Sequence, residues 1–267
     1  MSKIILITGA STGIGRATAE YLTQQGHRVY GTSRQPFKEI VPFQTLVMDV
    51  TREESIQSAV AELLQRESRI DILINNAGLG IIGALEEVPE DMIQRIFDTN
   101  VWGLLRVCRE VLPAMRQQHN GLIINVGSIA GRMGLPFRGI YSASKASVEI
   151  LTETLNIELK PFGIRACCVL PGDVRTNINA TRLVVSSPNN SPYRKYVEEM
   201  NTKVTAEVSS ADEPIYIAKA IEKIIHSTSP NIHYVAGPFL QRAALWLKRF
   251  LPSRVFEYLL RENYGMK

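Results

Sequence analysis

Cysteine is scarce: the 267 residues hold three, Cys108, Cys167 and Cys168, and two of these are adjacent inside an apolar segment. An odd number so arranged argues against a disulfide framework and suits buried, reduced thiols that pack as small hydrophobes. The opening residues MSKIILITGAS lack the apolar core and small-residue cleavage site of a secretory leader, so a cytoplasmic protein is expected. Charge of one sign is nowhere concentrated into a stripe: 30 basic and 26 acidic residues are scattered to leave a net +4, which argues against nucleic acid as a partner. The four histidines, His27, His119, His226 and His233, show no ligand spacing with one another or with the cysteines, and no metal is expected. No Ser/Gly-rich linker and no internal repeat divides the chain, so residues 1–267 are read as one domain.

What is present is an alternation. Apolar runs of strand length (KIILIT, RVYGTS, TLVMDV, DILINNAG, GLIINVGS, IRACCVLPG) are separated for the most part by longer segments of helical period. Strands apolar on both faces and joined through helices imply a parallel sheet covered on both sides, an open, doubly wound α/β fold of Rossmann type. Gly26 sits where a C′ glycine would end the first helix. Ser210 and Glu213 have capping-box spacing ahead of PIYIAKAIEKIIHS, and NIHYVAG reads as a last strand. Residues 177–208 show no strong period and are expected to form a mobile substrate-binding segment.

Chemistry gathers at the ends of the predicted strands. Gly9, Ser11, Thr12, Gly13, Ile14 and Gly15 follow the first strand and open the first helix, where backbone N–H groups and the helix dipole can receive a pyrophosphate. The spacing is G-x3-G-x-G rather than GxGxxG. The second strand ends in Ser33 and Arg34, where dinucleotide folds often carry an acid for the ribose 2′-hydroxyl. A carboxylate would repel a 2′-phosphate; Ser33 leaves room for one and Arg34 can pair with it, so NADP is expected in preference to NAD. Asp49, with Val50 at the end of the third strand, either accepts a bond from the adenine amino group or caps the following helix with Thr51. Tyr141 and Lys145 are four residues apart and share one face of a helix. A nearby ammonium favours phenolate and brings a tyrosine toward the working pH of a proton donor. They lie just after a strand whose C-terminal end carries Ser128.

Thr8 to Gly15, Asn75-Asn76-Ala77-Gly78, Asn100, Ser128, Tyr141, Lys145 and Pro171-Gly172-Asp173-Val174-Arg175-Thr176 stand in an order and spacing that resembles the single-domain short-chain dehydrogenases/reductases over roughly residues 3–235. The resemblance implies that Tyr141 is the general acid of reduction, that Ser128 bonds the substrate oxygen, and that Lys145 tunes Tyr141 and holds the nicotinamide ribose. It implies that Asn100 supports a water relaying protons through Lys145, although a helix-interior amide can equally bond the backbone. Asn76, Ala77 and Gly78 would line the cofactor, and Pro171, Gly172, Val174 and Thr176 would grip the nicotinamide carboxamide. A homodimer or homotetramer is implied as well. An epimerase of the extended branch of such enzymes would need a substrate domain that this length lacks. A non-catalytic, dinucleotide-binding redox sensor is the alternative function, and the intact Ser128, Tyr141 and Lys145 argue against it.

Leu79 to Ile82, Met133 to Phe137, and the stretch from Ile178 to Met200 with Leu183, Val184, Val185, Tyr193, Tyr196 and Val197 are candidate pocket walls. They suit a lipophilic carbonyl or alcohol, or equally pack a mobile lid that needs to bury surface of its own. The tail, 238–267, places apolar residues at helical spacing with Arg242, Lys248, Arg249 and Arg254 between them. It is too short and too charged to span a bilayer. It covers the cleft, forms a subunit contact or lies on a membrane surface, and packing within or between subunits is the expected role.

Overall fold

The first strand, β1 (Ile4–Ile7), is buried at every position, and its alternate residues face two different cores: Ile4 and Leu6 one, Ile5 and Ile7 the other. Such a strand must lie in the middle of a covered sheet. The computed structural model describes residues 2–176 and 181–266, without the side chains of Phe239 and Leu240. It places β1 inside a seven-stranded sheet of order β3-β2-β1-β4-β6-β7-β9, with β2 (Arg28–Ser33), β3 (Gln44–Val47), β4 (Ile72–Asn75), β6 (Gly121–Val126), β7 (Ile164–Pro171) and β9 (His233–Ala236). Every pairing is parallel. β5 (Ile81–Ile82) and β8 (Leu183–Val184) pair apart from it.

Helices α2 (Glu53–Glu67), α4 (Gly103–Gln118) and α5 (Gly139–Glu158) cover one face, burying Ile56, Val60, Leu63, Val107, Val111 and Val148 with Leu6 and Leu73. On the other, α1 (Gly13–Gln24) and the helix Ile215–Ile225 set Ala19, Leu22, Ile217, Ile221 and Ile224 against Ile5, Ile7 and Ile74. This is the doubly wound Rossmann-type fold expected. The chain order reverses between β1 and β4, and the crevice beyond the C-terminal ends of these strands is where such sheets take a ligand. Gly26, at φ +86°, ends α1 in the left-handed conformation, as the sequence predicts. The three cysteines are free and buried, and burial raises each thiol to about 12.

Two local expectations fail. With α3 at Glu90–Phe97, α6 is Arg194–Ser210 and α7 is Ile215–Ile225, so half of the stretch read as showing no strong period is a helix. Its Val197, Met200, Val204 and Val208 recur at helical spacing and pack on Ile82 and Ala84. Ser210 consequently closes α6 and donates to the carbonyls of Ala206 and Glu207. The N-cap of α7 is Pro214, with no side-chain cap, while Glu213 pairs with Arg175. The tail forms α8 (Phe239–Phe250) and α9 (Ser253–Asn263), broken at Pro252, which has no N–H to continue a helix.

Candidate active site

Two glycines shape the turn that leaves β1. Gly9 and Gly13 take φ of +67° and +59°, conformations that side chains rarely adopt. The turn is fastened from the neighbouring strand. Thr8 Oγ1 accepts from the Asn76 and Ala77 amides, both at 3.0 Å, and Asn76 Nδ2 donates to the carbonyls of Thr8 and Gly9 at 2.9 and 3.0 Å. Asn75, one residue earlier, points into the core, where it donates to Asn125 Oδ1 at 2.9 Å. The paired asparagines thus divide their work: one ties β4 to β6 and the other ties β4 to the glycine turn.

Gly15 is beneath the turn rather than on its surface. A Cβ there would collide with the Gly9 carbonyl oxygen and with Asn76 Nδ2, so the absence of a side chain lets α1 approach the turn. Gly15→Ala is expected to cost about 1–3 kcal/mol by overpacking and to displace the turn. Thermal unfolding and dinucleotide titration will read both effects; an unchanged affinity would contradict this role.

Above the turn lies a cleft of about 710 Å³. Of the residues expected to hold a dinucleotide, Gly9, Ser11, Thr12, Gly13 and Ile14 form its floor; Ser33, Arg34, Asp49 and Val50 one end; Asn76, Ala77, Gly78 and Thr176 its other side. Sequence reasoning missed Gln35, Met48, Thr99 and Thr181, which line the same cleft and carry no pattern of their own, and Leu79, expected in the substrate wall, lines this cleft instead. Asp49 does not cap α2, whose N-cap is Arg52. It folds back on Thr51, accepting from its amide at 3.0 Å and its hydroxyl at 2.7 Å. Among the described residues no carboxylate pairs with Arg34 at the cleft's edge. The donors fit an anionic dinucleotide: helix N-terminal amides, hydroxyls and a guanidinium, around glycines that allow close approach.

A second cavity, of about 440 Å³, joins the first where Ile14 and Thr176 line both. Ser128 and Tyr141 stand in its wall. Ser128 Oγ accepts from the Ala130 amide at 3.1 Å, which fixes its rotamer. Lys145 is buried, donates to the Val126 carbonyl at 2.8 Å, and its Nζ lies 6.0 Å from the centre of the Tyr141 ring. Asn100 sits in a wide helical turn, Asp98–Trp102. Its side chain exchanges bonds of 2.7 and 2.9 Å with the Leu79 backbone and donates to Ser144 Oγ at 3.0 Å. It therefore bonds the backbone of another segment, not its own helix. Gly78 fits beside it: a Cβ would lie 3.2 Å from Asn100 Oδ1 and 3.5 Å from Lys145 Nζ.

Gly172 and Val174 line this second cavity rather than the first cleft, whereas Pro171 lines neither and ends β7 against Ala236. Gly80, Ile81, Met133 and Leu135 are walls, as expected. Leu183, Val184, Val185, Tyr193, Tyr196, Val197 and Met200 are not. Leu183 and Val185 pack with Ile81 and Ile96, Val197, Met200 and Tyr193 pack with Ile82, and Val184 and Tyr196 are exposed. Ile178 lies outside the described residues. The cavity instead receives Arg182 from that stretch and Glu207 and Val208 from the end of α6, and the tail supplies Gln241, Ala244, Leu247, Phe256, Leu259 and Leu260. The tail is held down by Gln241, whose Oε1 accepts from the Asp173 amide at 2.9 Å, and by Phe256, Leu260 and Tyr264 packing on Ala130, Met133 and Leu135.

Residues 3–184 match the model of the family described as short chain dehydrogenase. The chain belongs to that family. It is 40% identical over 266 residues to the 3-ketodihydrosphingosine reductase of Bacteroides thetaiotaomicron, covering 99% of each chain, and 33% identical to an uncharacterized oxidoreductase of Bacillus subtilis, covering 98% of each. A solved short-chain dehydrogenase from Streptomyces avermitilis is similar at a TM-score of 0.83 and 32% identity, covering 99% of this chain and 98% of that one. A short-chain dehydrogenase/reductase of Burkholderia phymatum in complex with NAD gives 0.80 and 25%, covering 93% of each. This short-chain dehydrogenase is an oxidoreductase that uses a nicotinamide dinucleotide on a small-molecule carbonyl or alcohol.

Away from the cleft, at the opposite ends of the strands, the fold groups two histidines that no sequence spacing relates. His27 Nε2 and His226 Nε2 lie 3.4 and 2.7 Å from the two oxygens of Glu222. Among the described residues no helix is long and apolar enough to cross a membrane.

Proposed function

We propose that this dehydrogenase reduces a lipophilic, long-chain ketone with NADPH, and that a 2-amino ketone of the 3-ketodihydrosphingosine type is the substrate class to try first. The observation that carries the reading is the second cavity. Its walls are mostly apolar, it falls within the size range of small-molecule sites, it meets the first cleft at Ile14 and Thr176, and Ser128 and Tyr141 stand in its wall.

In this reading the bound dinucleotide supplies the hydride, as such cofactors do. The protein's own tasks are to orient the ketone, to stabilise charge growing on its oxygen and to deliver one proton. Ser128, its hydroxyl hydrogen free to donate because the oxygen accepts from Ala130, bonds the carbonyl oxygen. Tyr141 gives up the phenol proton. Lys145, held in place by the Val126 carbonyl, keeps a positive charge behind the developing phenolate and so favours the transfer. Asn100 acts as a positioning residue by fixing the Leu79 backbone beside the cleft. NADPH is preferred because Arg34 meets a 2′-phosphate where NAD-binding folds present an acid.

Two carboxylates, Asp173 and Glu207, line the cavity beside Arg138 and Arg182 and offer an anionic contact to a substrate that carries an ammonium. Burial, followed by the Asp173 charge, raises the Glu207 pKa, against which Lys203 and Arg138 act in the opposite sense. Glu207 therefore becomes neutral at a higher pH than an unperturbed carboxylate as pH falls, and its attraction for an ammonium goes with its charge. Glu207→Gln is expected to raise KM for a 2-amino ketone by about tenfold, the scale of a lost charged hydrogen bond, and to leave KM for the matching ketone without the amine unchanged. Wild-type kcat/KM for the amino ketone should fall on acidification earlier than for the plain ketone. Equal effects on both ketones would remove the amine from the substrate class and leave the reductase.

A further inference from the structure

Helices α8 and α9 have two apolar faces. Through one, Ala244, Leu247, Phe256, Leu259 and Leu260 close the substrate cavity. On the other, Trp246, Phe250 and Tyr258 are 63%, 62% and 61% exposed, and the rings of Trp246 and Phe250 lie 4.7 Å apart as one protruding pair. Exposed large aromatics gathered in this way mark an interaction site. Leu247 and Leu259 belong to both faces, since they line the cavity and are also 38% and 46% exposed. A continuous apolar path thus leads from the outer face to the site.

Charge decides what covers that face. From Pro238 onward the sequence carries six basic residues, Arg242, Lys248, Arg249, Arg254, Arg261 and Lys267, and two acidic ones, Glu257 and Glu262. That excess of four equals the net charge of the entire chain, so the remainder is neutral and the tail is the basic end. Two copies meeting through this face would bring like charges together, whereas anionic headgroups would neutralise them. A helix pair with aromatic residues and leucines between arginines is the pattern of a segment lying in the plane of a bilayer surface. We propose that α8 and α9 seat the enzyme on an anionic lipid surface, with Trp246 and Phe250 entering the interface. Resting on the function proposed above, the path past Leu247 and Leu259 then admits the lipophilic ketone directly from the bilayer.

The test is co-sedimentation of the full chain with phosphatidylcholine vesicles with and without phosphatidylglycerol. The docking surface predicts binding at least about tenfold tighter to the anionic vesicles, in keeping with several basic residues near the surface, and weakened by salt. Arg249→Glu with Arg254→Glu should abolish that preference, and Trp246→Ser with Phe250→Ser should weaken binding to both vesicle types. None of these four residues lines the cavity, so turnover of a water-soluble ketone in each variant should match the wild type, a readout that fails separately if the reductase reading is wrong. Equal, weak binding to both vesicle types would overturn the proposal. So would a stable dimer that Trp246→Ser with Phe250→Ser dissociates while vesicles stay unbound.

Discussion

Tyr141→Phe is expected to lower kcat for ketone reduction by about 10²–10⁴-fold, the range that general acid catalysis contributes, while NADPH binds as before. The substitution deletes one hydroxyl from the wall of the second cavity and leaves the ring packed against Ile81 and Met133, so the fold should persist. Lys145 is a poorer choice for this experiment. It is buried and donates to the Val126 carbonyl, and its removal would take a charged donor out of the core and disturb the fold as well as the chemistry. Steady-state rates with dinucleotide titration by fluorescence will separate the terms. A variant that retains more than a tenth of the wild-type kcat would assign the proton to water or to another group.

Arg34→Ala should weaken NADPH by roughly tenfold to a hundredfold, the worth of a charge-assisted hydrogen bond, and leave NADH nearly unchanged. β2 brings Ser33 and Arg34 to the end of the cleft, and the exposure of Arg34 means that the discrimination should shrink as salt rises. Dissociation constants for both dinucleotides at two ionic strengths are the measurement. Equal losses for the two would show that Arg34 serves the cleft's shape and not the 2′-phosphate.

Local chemistry made the sheet and the two cores legible. Strands such as IILI and GLIINV are apolar throughout, which only a doubly covered sheet accommodates, and the residues of the glycine turn are contiguous. Tyr141 and Lys145 could be paired because one helix carries both. What sequence could not give is contact between distant segments. The roof of the cavity joins Phe256 and Leu260 to Ala130 and Met133, more than a hundred residues away, and the grouping of His27 with Glu222 and His226 is of the same kind. Helix α6 is a different case. Its stripe of Val197, Met200, Val204 and Val208 was present in the sequence, but it lies among Thr, Ser and charged residues and behind the polar run SSPNNSP. The apparent capping box at Ser210 and Glu213 failed for a related reason, because Ser210 had already been taken into the last turn of α6.

In the proposed function Ser128 and Tyr141 serve an apolar cavity that takes a long-chain ketone. The most direct test is kcat/KM for NADPH-dependent reduction along a series of ketones differing only in alkyl length. The account predicts a steep rise with each added methylene until the cavity is filled, by up to about threefold to fourfold per methylene at ~0.8 kcal/mol each, and abolition of turnover across the series in Tyr141→Phe. Rates indifferent to chain length would contradict the substrate reading, and NADPH binding without turnover on any member would contradict the reductase.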